Sequence, residues 1–266
     1  GTGRTLVAEN AAEVSWWSAD TLLVWTPGKA AYLRQENSDQ RQYLDVESVI
    51  SVQPGGHYGL AVEAYGEGGF QRALIDLELR GLVGIGNTHV SLGVDQAYFN
   101  AQSWSPNGEW LAYVAPVPVE GDTVGGEIFG IQPGSRAPTR WTNLTEHYGA
   151  ARINGVSVGE LSWSPDSTRI AFWVTEITGE DVTTNLGNAV IHVLNVATGE
   201  VSAYCGYATD EQTPNPPRLV WSPDGTTIAF AGALPNDTQG YHLLALNIET
   251  GVITSLSVGV GAALGS

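Results

Sequence analysis

Short apolar runs, broken by tight polar clusters that contain Pro and Gly, repeat along this chain and set its expected elements. The clearest instance runs from Leu161 to Phe172. An apolar segment ending at Trp163 passes through Ser164, Pro165, Asp166 and Ser167 into Ile170, Ala171 and Phe172. Close relatives of it run from Gln102 to Tyr113 and from Leu219 to Phe230. Each is predicted to be strand, tight turn, strand. In a type I turn Pro presets φ at the second position, Asp or Asn suits the third, and Gly accepts the left-handed backbone that follows. Ser105-Pro106-Asn107-Gly108 and Ser222-Pro223-Asp224-Gly225 meet these demands. The turn at Ser164 lacks the Gly, so Ser167 must tolerate a positive φ or the turn must be of another type.

Two weaker copies appear around Val14 to Val24 and Val49 to Val62. The column at the end of the first strand then reads Trp17, Val52, Trp104, Trp163 and Trp221, which suggests one repeated packing slot. The second strand carries Leu22-Leu23-Val24, Leu60-Ala61-Val62, Leu111-Ala112-Tyr113, Ile170-Ala171-Phe172 and Ile228-Ala229-Phe230. These strands are apolar almost without interruption, which implies burial on both faces. Antiparallel sheets are covered on both faces when like sheets stack around an axis. The expected fold is therefore all-β: a β-propeller of four-stranded antiparallel blades, five recognisable and six possible, forming a single domain over residues 1–266.

The Trp-Ser-Pro-Asp-Gly unit resembles the WD-like repeat of TolB-type β-propellers. The later turns at Leu194 to Glu200 and Leu246 to Gly251 are similar to that family's strand-ending Asp-Leu-x-Thr-Gly turn, with Asp76 to Gly81 a looser copy. The resemblance covers most of the chain and implies a fold rather than an activity, because the motif residues are structural and propellers host many functions. It also implies an envelope or secreted setting. Some peptidases carry TolB-like propellers beside a hydrolase domain, and this chain contains no such domain.

The expected third and fourth strands are 30–33 and 42–45 in the first blade, 71–77 and 82–85 in the second, and 127–131 and 139–142 in the third. Blades four and five cover about 160–204 and 218–258. In a four-stranded meander successive turns fall at opposite ends of the sheet, so the short Ser-Pro-Asp-Gly and Thr-Gly turns share one end and everything long lies at the other. That end is expected to gather the second-to-third connections near 64–69, 117–126, 176–188 and 233–240, and the blade-to-blade connections near 87–98, 145–159 and 206–217. Acids and tyrosines are interleaved there. Binding function concentrates on loops held by a rigid scaffold, so the candidate binding residues are Glu120, Asp122, Tyr148, Glu180, Asp181, Tyr207, Asp210 and Glu211.

Charge narrows the partners. The net charge is −17, from 28 acids against 11 Lys and Arg. Nucleic acid is disfavoured, because a phosphate backbone needs a basic footprint. Solubility and repulsion between molecules account for much of the acidity, and a surface for cations or a basic partner is the sharper reading. Cys205 is the only cysteine, so no intrachain disulfide forms. No apolar run is long enough to cross a bilayer. The chain begins at Gly1 and contains no Met, which reads as a processed protein or an excised domain. Asn143-Leu144-Thr145 and Asn236-Asp237-Thr238 fit the glycosylation acceptor pattern.

Chemistry is sparse. Gly155-Val156-Ser157-Val158-Gly159 spells a nucleophile elbow, but that motif needs an exposed Ser on a strand-to-helix turn, and here it leads into a predicted strand. The five His residues, at 57, 89, 147, 192 and 242, have no close ligand spacing, and His192 and His242 fall within predicted third strands. No catalytic residue, metal ligand or cofactor is expected. The expected function is a non-catalytic binding or scaffold propeller that meets a protein or peptide partner, a cell-surface assembly among the candidates, through its acidic long-loop face, in a secreted, periplasmic or cell-surface location. The alternatives are the propeller of a multidomain peptidase or hydrolase whose catalytic domain lies outside this chain, and a metal-dependent propeller hydrolase.

Overall fold

The computed structural model describes residues 8–26, 30–44, 46, 48–65, 69–78, 90–95, 101–118, 124–135, 137–149, 157–177, 186–209, 217–233 and 241–257. Its strands form five four-stranded antiparallel sheets, each a meander with strands in chain order. Two compact units hold them, the first with sheets one and two and the second with sheets three to five.

In the first unit, sheet one comprises β1 (Glu13–Trp16), β2 (Thr21–Trp25), β3 (Tyr32–Gln35) and β4 (Arg41–Tyr43), and sheet two comprises β5 (Ser48–Val52), β6 (Tyr58–Tyr65), β7 (Gly69–Asp76) and β8 (Val90–Asp95). Leu23 and Leu33 of sheet one, with Leu44 just past β4, pack with Val49, Ala61, Ala73 and Ile75 of sheet two and with Leu77 just past β7. The opposite face of sheet one carries Leu22, Val24 and Tyr32, against which Ala8 and Ala11 pack. Two expectations are corrected here. The fourth strand of sheet two is 90–95 and not 82–85, which lies outside the described residues. In the sequence Val90, Leu92 and Val94 alternate with Ser91, Gly93 and Asp95, the two-residue period of a strand.

The second correction concerns the Trp column. Trp16, not Trp17, pairs with Leu22, as Trp104 pairs with Leu111, Trp163 with Ile170 and Trp221 with Ile228. The turn of sheet one is shorter by one residue, so Trp17 takes the place that Ser holds elsewhere. Its N–H donates to the Thr21 carbonyl as that of Ser164 donates to Arg169.

In the second unit, sheet three comprises β9 (Gln102–Trp104), β10 (Leu111–Pro118), β11 (Val124–Ile131) and β12 (Thr139–Arg140). A short helix, α1 (Leu144–Tyr148), follows β12 within the expected connection. Sheet four comprises β13 (Val158–Trp163), β14 (Arg169–Ile177), β15 (Leu186–Asn195) and β16 (Val201–Thr209). Sheet five comprises β17 (Val220–Trp221), β18 (Thr227–Ala233), β19 (Tyr241–Asn247) and β20 (Ile253–Ser257). The unbroken apolar run of β14 now has its cause. Ile170, Phe172 and Val174 pack with Ala112, Val114 and Ile128 of sheet three, while Ala171 and Trp173 pack with Ile228, Phe230 and Leu244 of sheet five. Each large side chain buried this way contributes about 1.5–3 kcal/mol.

The Trp slot is a polar joint as well as an apolar one. Trp163 Nε1 donates to the Ser103 carbonyl at 3.0 Å, and Trp221 Nε1 to the Ser162 carbonyl at 2.9 Å. Each indole thus bonds to the residue that precedes the Trp of the sheet before it.

The recurring turn is explained by its Ser. Ser164 Oγ donates to Asp166 at 2.6 Å and accepts the Arg169 N–H at 2.9 Å. The Ser222 and Asp224 pair repeats the arrangement, and so do Ser105 and Asn107. Ser167 takes the positive φ, at 59°, where Gly108 and Gly225 stand in the sister turns. In return its hydroxyl accepts the Asn107 N–H of the neighbouring sheet at 3.2 Å.

Candidate functional site

Six of the eight residues expected to bind, Glu120, Asp122, Glu180, Asp181, Asp210 and Glu211, lie outside the described residues. The structure does describe Tyr148 and Tyr207. Tyr207 is buried between Trp173 and Phe230, its ring centroid 6.3 and 5.1 Å from theirs. Tyr148 is half-buried at the end of α1.

A carboxylate that sequence reasoning passed over builds the platform for Tyr148. Glu127 sits on β11 with no exposed surface. Its oxygens accept the Leu144 and Thr145 N–H groups at 2.8 and 2.9 Å, the Thr142 and Thr145 hydroxyls at 2.6 Å each, and the Arg140 guanidinium at 2.9 Å. A buried carboxylate is tolerable only when its lone pairs are occupied in this way. Glu127 therefore fixes the first turn of α1 against sheet three. The signal was present in the sequence: one acid inside an apolar strand, with Arg140, Thr142 and Thr145 shortly after.

Tyr148 then reaches sheet four. Its hydroxyl meets His192 Nε2 at 2.5 Å, while His192 Nδ1 lies 2.9 Å from the Val190 carbonyl. A carbonyl can only accept, so Nδ1 carries the ring proton and Nε2 accepts from the Tyr148 O–H. The His192 ring stacks on Phe172 with centroids 5.6 Å apart. Burial pushes the His192 pKa down to about 4, and His147 nearby pushes the same way against the Val190 bond. Burial raises the Tyr148 phenol, with Cys205 adding to it. Both groups are neutral near pH 7, and their bond clasps α1 to sheet four.

Glu160 marks a second irregular place. It stands at φ 52° within a bulge of β13. Burial raises its carboxyl pKa, against the lowering pull of Arg218 and of the Leu219 backbone. Ser157 is wholly buried and its carbonyl accepts the Thr175 N–H at the start of β13, so the elbow spelling is a strand entry. Among the described residues no group of three or more His, Cys, Asp and Glu is placed to hold a metal ion. No described helix is long and apolar enough to cross a membrane.

No family model and no curated protein matches the chain. Solved structures do. The chain is similar to a structure of prolyl endopeptidases, at 9% identity and a TM-score of 0.59, over 93% of this chain and 36% of that one. It is similar to the β-propeller domain of the Trilobed protease from Pyrococcus furiosus, at 10% identity and a TM-score of 0.52, over 94% and 72%. It also matches TolB from Acinetobacter baumannii at 17% identity and a TM-score of 0.46, over 92% and 54%. The chain thus spans about half of the TolB chain and about a third of the prolyl endopeptidase chain. At these identities the likeness concerns the fold alone, a β-propeller of four-stranded antiparallel sheets.

Proposed function

We propose that the chain is a non-catalytic binding and scaffold module, one propeller domain over residues 1–266, that engages a protein or peptide through its acidic long-loop end outside the cytoplasm or at a cell surface. The observation that carries this reading is the way α1 is held. Glu127 pins its first residues and His192 clasps its last, so Tyr148 is presented from a rigid base with exposed Glu146 and His147 beside it. Tyrosine on a pre-ordered support is a favoured interface residue. The acids of the repeated turns support the reading in another way. Ser164 first, then Thr168, holds Asp166 below the usual carboxylate range, and Ser222 does the same for Asp224. These acids serve the turns, which leaves the loop acids as the partner-facing charge.

A random peptide library panned against the protein tests the reading. Enriched peptides should be basic, and their binding should weaken with salt. Changing Glu180, Asp181, Asp210 and Glu211 to Lys together should abolish binding, while the same charge change at Glu36, Glu109, Glu200 and Glu249 should spare it. Equal loss in both variants would overturn the reading, as would turnover of peptide substrates by the chain alone.

The similarity to propellers of proteases, at TM-scores of 0.59 and 0.52, favours a second reading, the propeller of a multidomain peptidase. It predicts an α/β-hydrolase domain encoded beside this segment. A metal-dependent propeller hydrolase, the remaining alternative, requires bound metal in elemental analysis of the purified protein.

A further inference from the structure

Sheet one departs from the repeat at two residues, and both line the same cleft. The first is Trp17, which stands where Ser105, Ser164 and Ser222 cap their turns. The second is Gln35, which pairs with Thr21 as Asp76 pairs with Tyr58, Asn195 with Arg169 and Asn247 with Thr227. In sheets two, four and five these shorter side chains fold back on the turn that follows. Asp76 accepts the Glu78 N–H, Asn195 those of Ala197 and Thr198, and Asn247 those of Glu249 and Thr250. Gln35 is longer by one methylene and makes no such bond, because other groups hold its turn. Arg34 Nε donates to the Ser38 carbonyl at 2.8 Å, and its guanidinium pairs with Asp39 at 2.9 Å. The Gln40 N–H donates to Ser38 Oγ at 3.1 Å, and the Glu36 N–H to the Asp20 carbonyl at 2.7 Å. The Gln35 amide is thereby released from capping.

The cleft lies on the face of sheet one that carries Leu23 and Leu33, at the end of its two short turns. Thr21, Gln35 and Gln42 reach it from three adjacent strands, since Thr21 pairs with Gln35 and Leu33 with Gln42. Trp17 and Leu33 supply its apolar surface, and Ser38 and Gln40 close it from the β3–β4 turn. Its volume is about 110 Å³, several times the roughly 10–15 Å³ that one water needs. The amides of Gln35, Gln40 and Gln42 take part in no hydrogen bond among the described residues, so each offers two N–H donors and a carbonyl acceptor. None of the described residues that line the cleft is charged. An anion gains nothing there, a cation finds no carboxylate, and a wholly apolar ligand would dehydrate the amides without pairing them.

We infer that this cleft binds a neutral carbohydrate, one pyranose ring of a glycan entering with its C–H face on Trp17 and its hydroxyls against Gln35, Gln40 and Gln42. A pyranose matches the lining because it has an apolar face and adjacent hydroxyls that both donate and accept, as carboxamides do. The bonds of the β3–β4 turn fix the backbone of the site before the sugar arrives, which limits the ordering lost on binding. The site uses none of the loop acids and is independent of the function proposed above.

Saturation-transfer NMR with the methyl glycosides of glucose, galactose, mannose and N-acetylglucosamine decides it, with methyl glucuronide and glucosamine as charged counterparts. At least one neutral glycoside should receive transfer from the protein, and its charged counterpart should receive less. Two substitutions restore residues of the sister turns and so suit the fold. Trp17→Ser should abolish transfer, and Gln35→Asn should raise the dissociation constant about two- to tenfold, the effect of losing one hydrogen bond. Gln42→Ala should do the same. Should Trp17→Ser unfold on circular dichroism, the two Gln variants decide. Changing Glu180, Asp181, Asp210 and Glu211 together to Lys should leave the sugar signal intact. Absence of transfer to every neutral glycoside overturns the inference, as does binding that survives Gln35→Asn and Gln42→Ala unchanged, or a charged sugar bound as well as its neutral counterpart.

Discussion

Glu127 accepts hydrogen bonds from a guanidinium, two hydroxyls and two backbone N–H groups, so its value lies in the set. Glu127→Gln keeps the shape but turns a donor toward donors. It should cost about 3–5 kcal/mol, the usual penalty for breaking a buried charged pair, read from urea unfolding at neutral pH. Ser167 presents a smaller balance. Its left-handed backbone costs roughly 1 kcal/mol in a non-glycine residue, offset by its bond to the Asn107 N–H. Ser167→Gly should therefore be near neutral, whereas Ser167→Ala keeps the strain, loses the bond and should cost about 1 kcal/mol.

His192 carries a pH dependence whose sign is fixed by its burial. Its pKa falls from 6.5 to about 4 on folding, so the unfolded chain takes up the proton first. The contribution is fully present above about 6.5 and is lost as the pH falls toward 4. The full span is about 3 kcal/mol. His192→Gln keeps a partner for Tyr148 and should flatten the slope of the urea midpoint between about pH 7 and 4.5. A slope equal to that of the unaltered protein would remove His192 as its source. The sequence placed His192 in a third strand correctly. It had no means of pairing it with Tyr148, because the two meet only once α1 is folded against sheet four.

Among elements, the paired sheets of the second unit depend on close approach as much as on apolar area. Gly130 on β11 lies under Trp141, and an added Cβ would fall 2.0 Å from that ring. Gly130→Ala should destabilise by about 1–3 kcal/mol, the range for overpacking, and should show first in Trp fluorescence, since Trp141 itself packs on Trp110 and Trp163. Trp163→Phe and Trp221→Phe retain most of the packing and remove one inter-sheet bond each. Each should cost about 1 kcal/mol plus any cavity formed. These hairpins were legible because the repeat stated them three times. The register of sheet one was misread by one residue, since a turn shortened by one position leaves two adjacent Trp residues and composition cannot say which is paired. The fourth strand of sheet two was misplaced for a related reason: 82–85 and 90–95 are both short apolar runs, and only pairing with β7 selects the second.

For the whole molecule, a net charge of −17 means that folding gathers like charges. Raising ionic strength from about 10 to 150 mM shortens the screening length to about 8 Å and should raise the thermal midpoint by a few degrees. No rise on calorimetry would mean that local pairs already compensate the acids. The sequence by itself determined the sheets, their meander and the chemistry of their turns, because strand period, Pro and Gly act over a few neighbouring residues. The loop acids remain a reading from sequence. The tertiary structure decided which Trp closes each joint, that Glu127 and His192 hold α1 between them, and that Trp16 is left exposed. Those outcomes depend on side chains dozens of residues apart meeting across stacked sheets, where distance in sequence carries no information about distance in space.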